Sequence, residues 1–169
     1  MSAMRWLERL SVLLNRALAW VAGLVLVAMM LFTVLDMVLR ALGRPVAGSY
    51  EVIGWLSAAA MALALGYAQM HRSHVSIDLL VTRFRGRLRA GVEVAMRLCA
   101  LLLFAAVAAY VARYGGVLQE SGSLSETLKA IVYPWVYVVA VGAAGLTVAL
   151  FVDVLRSAGR FVGRSPDRR

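Results

Sequence analysis

Residues 48–78 read GSYEVIGWLSAAAMALALGYAQMHRSHVSID, a carboxylate followed by a long apolar run and then a polar cluster. Between Val52 and Met70 the conventionally polar side chains are Ser57, Tyr67 and Gln69. A run of this length matches the roughly 20 residues an α-helix needs to cross about 30 Å of hydrocarbon. Charge sits at both ends, Glu51 at one and His71, Arg72, His74 and Asp78 at the other. The stretch therefore predicts a membrane-spanning helix with its ends in the two aqueous interfaces. Gly54, Ala58, Ala62 and Gly66 recur every four residues along it. Such positions share a face, and small residues there let helix backbones approach closely in lipid. Two uses are open: packing the chain's own helices, or docking a separate membrane subunit. Both call for a face covered by protein.

The rest of the chain fits this reading. Its 169 residues are 62% hydrophobic with a mean hydropathy of +0.80, against about 45–50% apolar for a soluble domain. This predicts a single integral-membrane domain with little room for a separate soluble catalytic unit. A net charge of +9 would suggest nucleic-acid binding in a soluble protein. Here the arginines flank apolar runs, where they encode topology, so no nucleic-acid partner is expected. Cys99 lies inside an apolar run and has no second cysteine to pair with, so it makes no redox or metal site by itself. The basic N-terminus precedes a run too long for a cleaved signal and reads as an uncleaved signal anchor.

Residues 1–16 form an amphipathic N-terminal segment. Leu7, Leu10, Leu14 and Leu18 follow helical spacing, with Arg5, Glu8, Arg9, Asn15 and Arg16 on the other side. Such a helix either lies in the headgroup plane or extends the first span. A four-span domain over 17–156 follows, with spans at about 17–39, 51–71, 92–113 and 130–155 and a surface helix at about 75–89. A basic tail occupies 157–169. Asp36 and Arg40 stand four apart at the exit of the first span, as a packing or docking element or as snorkelling charges. Gly43-Arg44-Pro45 ends that helix, and Gly48-Ser49 supplies a turn and an N-cap for the next. Residues 114–129, polar and glycine-rich, predict a loop. Gly142, Gly145 and Ala149 give the fourth span a second narrow face. The N-terminal segment, the middle connection and the tail hold thirteen arginines, against four Arg or Lys in the other two connections. The positive-inside bias then predicts four spans with both termini in the cytoplasm: an all-α integral membrane protein with amphipathic interfacial helices.

Nothing in the sequence points to an enzyme, and no catalytic, cofactor-binding or metal-ligating residues are assigned. His71 and His74 lie at one end of one helix, unlike haem ligands facing each other across a bundle. Asp36, Glu51, Glu93 and Asp153 all fall near span ends, whereas an ion-coupled carrier typically holds an acid within the membrane. His74 and Asp78, four apart, read as a solvated turn or as a contact with a partner subunit.

Taken in order, Asp36-xxx-Arg40, the Gly/Pro turn, Gly48-Ser49-Tyr50-Glu51, the Ala/Gly-rich span, His74-Val75-Ser76-Ile77-Asp78 and the span entered through Tyr133-Pro134-Trp135 resemble the small permease subunit of TRAP transporters, the DctQ-type subunit. The resemblance covers about residues 17–156, and departs at Ala41, where the family often has an aromatic. It implies a tripartite system in the bacterial inner membrane. A large permease subunit moves the substrate with sodium, and a periplasmic binding protein delivers an organic acid. The small subunit is a scaffold embedded among lipids. Asp36, Arg40, Glu51, Gly54, Ala58, Ala62, Gly66, His74 and Asp78 become its candidate interface residues. A small autonomous transporter or channel, and a membrane anchor for another complex, are the alternatives.

Overall fold

The computed structural model describes residues 2–72 and 87–163. Among the described residues four helices make up the architecture: α1 Ser2–Ala41, α2 Ser49–Arg72, α3 Arg87–Glu120 and α4 Tyr133–Gly163. Each contains a segment long and apolar enough to cross a membrane: Trp6–Ala41, Ser49–His71, Val94–Glu120 and Tyr133–Ser157. The expected all-α, four-span fold is therefore present. His74, Asp78 and residues 75–86 of the expected surface helix lie outside the described residues, while 87–89 begin α3.

The N-terminal segment and the first span are one continuous helix of 40 residues, about 60 Å long at 1.5 Å per residue. It stops at Gly43, whose φ of 75° is open to glycine at little cost. Arg44 N donates to Leu39 O and Gly43 N to Arg40 O, the paired bonds of a Schellman cap. The same device ends α3: Gly122 has φ 63°, Ser123 N donates to Leu118 O and Gly122 N to Gln119 O. The loop thus begins at Ser121, not at 114 as the glycines suggested. Gly115 and Gly116 stay helical. A Cβ on Gly115 would stand 3.1 Å from the Tyr137 ring, so this glycine serves the close approach of α3 to α4 rather than a break.

At the centre of the bundle, α4 packs against α1, α2 and α3, and α1 also packs on α2. Composition explains its position. The buried apolar residues are mostly small: Ala22 on α1, Ala59, Ala60, Ala62 and Leu63 on α2, and Ala140, Ala143, Leu146, Ala149, Leu150 and Val152 on α4. Lipid tails are as apolar as leucine, so association rests on close van der Waals packing of small side chains. Many of the large side chains point outward. Trp20, Leu24, Met30, Leu31, Leu102 and Leu103 are all more than half exposed.

The amphipathic segment faces the opposite way from the pattern a water-soluble helix would take. Ser11 and Asn15 are fully buried, whereas Leu7, Leu10, Leu13 and Leu14 are exposed. Glu8, Ser11, Asn15 and Ala22 lie along one line of three- and four-residue steps. In a bilayer the polar line is the one that belongs inside, because polar groups find partners within the bundle.

Candidate functional site

The small-residue ridge on α2 divides into two halves. A four-residue step advances about 40° beyond a full turn of 3.6 residues, so the first and last ridge positions point about 120° apart. At one end Ala62 and Gly66 are buried, and at the other Gly54 and Ala58 are exposed. A Cβ on Gly142 would meet the Ala62 carbonyl oxygen at 2.5 Å and Leu63 N at 2.8 Å. Here two backbones touch with no side chain between them. A Cβ on Gly66 would overlap Asn15 Oδ1 and come within 3.2 Å of the Gly145 carbonyl carbon, and one on Gly145 would meet Leu18 Cδ1 at 2.6 Å. Three helices converge at that point. Nothing lies within 4 Å of a Cβ on Gly54. The exposed line continues through Tyr50, Gly54, Ala58, Met61 and Leu65. The uniformly covered face expected from spacing is thus covered over one half only, and among the described residues the other half stays open.

At the loop end, charged side chains tie the two connections together. Arg40 Nη2 donates to Asp36 Oδ2 at 2.8 Å, and Asp36 Oδ1 accepts Val46 N at 3.1 Å. The carboxylate of Asp36 is buried and the Arg40 guanidinium is half-exposed. Arg40 also reaches Ser49 Oγ at 3.5 Å and lies 5.8 Å from the Tyr50 ring centroid. Ser49 is buried and serves α1, while the carbonyl of Gly48 accepts the first bonds of α2 from Glu51 and Val52. The Glu51 carboxylate accepts two backbone bonds from the α3–α4 loop, Thr127 N at 2.8 Å and Leu128 N at 3.1 Å. Leu128 packs over Gly48, whose φ is 73°. The loop is braced by a bridge between Leu124 and Ile131 and by Ser125, which exchanges bonds with Ala130. Trp55 on α2 stacks on Trp135 on α4 with ring centroids 5.8 Å apart.

The opposite end, where α1 begins and α4 finishes, holds a polar cavity of about 300 Å³. Glu8 and Ser11 line it from α1, Tyr67 and His71 from α2, Arg97 from α3, and Asp153 and Arg156 from α4. Arg156 Nε donates to Glu8 Oε1 at 2.7 Å, and Arg97 Nη1 reaches Asp153 O at 3.5 Å. Arg97 is only 9% exposed. Asn15 Nδ2 donates to Ser11 O at 3.0 Å, while Asn15 Oδ1 and Ser11 Oγ have no partner among the described residues. Among the described residues no group of three His, Cys, Asp or Glu side chains could hold a metal ion.

Of the candidate residues, Asp36, Arg40 and Glu51 gather at the loop end, and Gly54 and Ala58 lie on the exposed line beside them. Ala62 and Gly66 belong to the internal crossing. His74 and Asp78 lie outside the described residues. Residue spacing within single helices did not reveal the cavity, because its members come from all four helices. The line through Glu8, Ser11 and Asn15 was its readable signal.

The family described as tripartite ATP-independent periplasmic transporters, DctQ component, matches residues 29–160, from the middle of α1 to near the end of α4. Comparisons with curated proteins and with solved structures give no match.

Proposed function

Because the chain belongs to the DctQ component family of tripartite ATP-independent periplasmic transporters, we propose that it is the small membrane subunit that scaffolds a large permease subunit. The permease carries out sodium-coupled uptake of an organic acid delivered by a periplasmic binding protein. The observation that carries this reading is the open line of α2. Tyr50, Gly54, Ala58, Met61 and Leu65 form an apolar face with small residues at its loop half, and among the described residues that face is left uncovered. Small residues in lipid favour a helix-sized partner at close range. Beside that face, Asp36, Arg40 and Glu51 hold both connections at fixed positions, which gives a partner a stiff edge to rest on.

The orientation that goes with this reading follows from charge. Both termini and the middle connection carry most of the arginines and face the cytoplasm by the positive-inside bias. The loop end then faces the periplasm of the inner membrane, where the binding protein arrives.

Co-expression of the full chain with its permease partner tests the scaffold. Gly54→Leu places a large side chain in open space, so the bundle folds while co-purification and uptake fall. Complex yield and uptake equal to the unsubstituted chain would overturn the assignment of this face. Solute transport by the purified chain alone in liposomes would overturn the scaffold reading itself.

A further inference from the structure

The polar cavity where α1 begins and α4 finishes has no part in the scaffold reading. It lies where the apolar segments end, at His71 on α2 and Ser157 on α4, the depth of lipid headgroups. Ser11 is 1% exposed and lines the cavity, and its Oγ has no partner among the described residues. A buried hydroxyl in that condition calls for a ligand atom within reach. Two guanidinium groups share the chamber. Glu8 accepts from Nε of Arg156, and a guanidinium carries five N–H donors in a planar fork, so the Nη side of Arg156 has donors for a second acceptor. Arg97 is held at the wall by its bond to Asp153 O.

Arginine forks match phosphate oxygens in geometry and charge; with the Glu8 and Asp153 carboxyl groups also in the lining, the match rests on the Nη donors of Arg156 rather than on an excess of positive charge. A second hollow of about 220 Å³ shares the Tyr67 wall and is lined by Arg16, Ala19 and Trp20. We propose that the cavity holds the phosphate of a phospholipid headgroup, with Ser11 Oγ and Arg156 as donors and Arg97 in the wall beside them.

Native mass spectrometry of the full chain released from detergent tests this, using protein delipidated and then exposed to vesicles of phosphatidylglycerol and phosphatidylethanolamine, or to inorganic phosphate alone. One phospholipid retained per chain is expected. Arg156→Gln and Ser11→Ala should each lower retention by about ten-fold, the loss of a charge-assisted or buried donor. Glu8→Gln keeps the acceptor for Arg156 and removes a negative charge from the chamber, so it should raise retention, a gain that misfolding cannot imitate. Equal retention in all variants, or loss in all three, overturns the proposal. One inorganic phosphate bound per chain with no lipid retained makes free phosphate the occupant and overturns the lipid source.

Discussion

Replacing Gly142 by alanine probes the α2–α4 crossing. A Cβ there would stand 2.5 Å from the Ala62 carbonyl oxygen and 2.8 Å from Leu63 N, whereas ordinary contact begins at 3.4 Å. Both obstacles are backbone atoms, which no rotamer change can clear, so the two helices must part by close to an ångström. Overpacking of this kind costs about 1–3 kcal/mol. Alanine returns up to about 1 kcal/mol of helix propensity over glycine, leaving a net loss of up to about 2 kcal/mol. For a chain of this size that lowers the melting temperature by up to roughly 8 °C. Thermal melting in mild detergent, followed by helical circular dichroism, reads the change. Gly54→Ala is the control: its Cβ meets nothing within 4 Å, so melting should hold or rise slightly. Gly66→Ala should fall between them, although its Cβ overlaps Asn15 Oδ1, because a side-chain amide can swing aside. If Gly142→Ala melts together with Gly54→Ala, backbone contact at this crossing does not hold α2 to α4, and the reasoning fails.

Glu51→Gln leaves one acceptor for the two loop amides. Hydrogen exchange at Thr127 and Leu128 should quicken while exchange in the middle of α2 stays unchanged. Gly48→Ala forces a Cβ into a left-handed backbone, about 1–2 kcal/mol unfavourable, and into the Leu128 side chain, so melting should fall. A disulfide-free readout of the same loosening is faster proteolysis in the 121–132 loop. Asn15→Asp buries a carboxylate at a fully buried position, and the chain should give much lower yield of folded monomer on gel filtration than Asn15→Ser.

The four helices were legible because their apolar runs exceed the bilayer thickness, and the Gly43 stop was legible because Pro45 follows it. Gly115 and Gly116 misled because glycine marks close approach as readily as chain reversal, and only Tyr137, across the interface, tells which. The ridge from Gly54 to Gly66 was read as one face because four-residue spacing approximates a turn. The residual rotation accumulates until one end belongs to the interior and the other does not. In α1 the leucine stripe left two placements open, in the headgroup plane or as an extension of the first span, because spacing alone does not say what the stripe faces. In lipid the cheaper arrangement turns Ser11 and Asn15 inward, and the stripe faces out. Glu51 was placed at the loop end by its position, but its partners Thr127 and Leu128 lie more than seventy residues away, beyond any local pattern.

The crossing of Ala62 with Gly142 joins the second helix to the last. During synthesis the first hairpin must therefore enter the bilayer before the surface it is built to meet exists. Until Tyr133 and the residues after it leave the ribosome, Asn15 and Gly66 have each other across the α1–α2 contact but not the α4 backbone at Gly142 and Gly145. The final helix, which packs on all three of the others, is thus the step that closes the bundle.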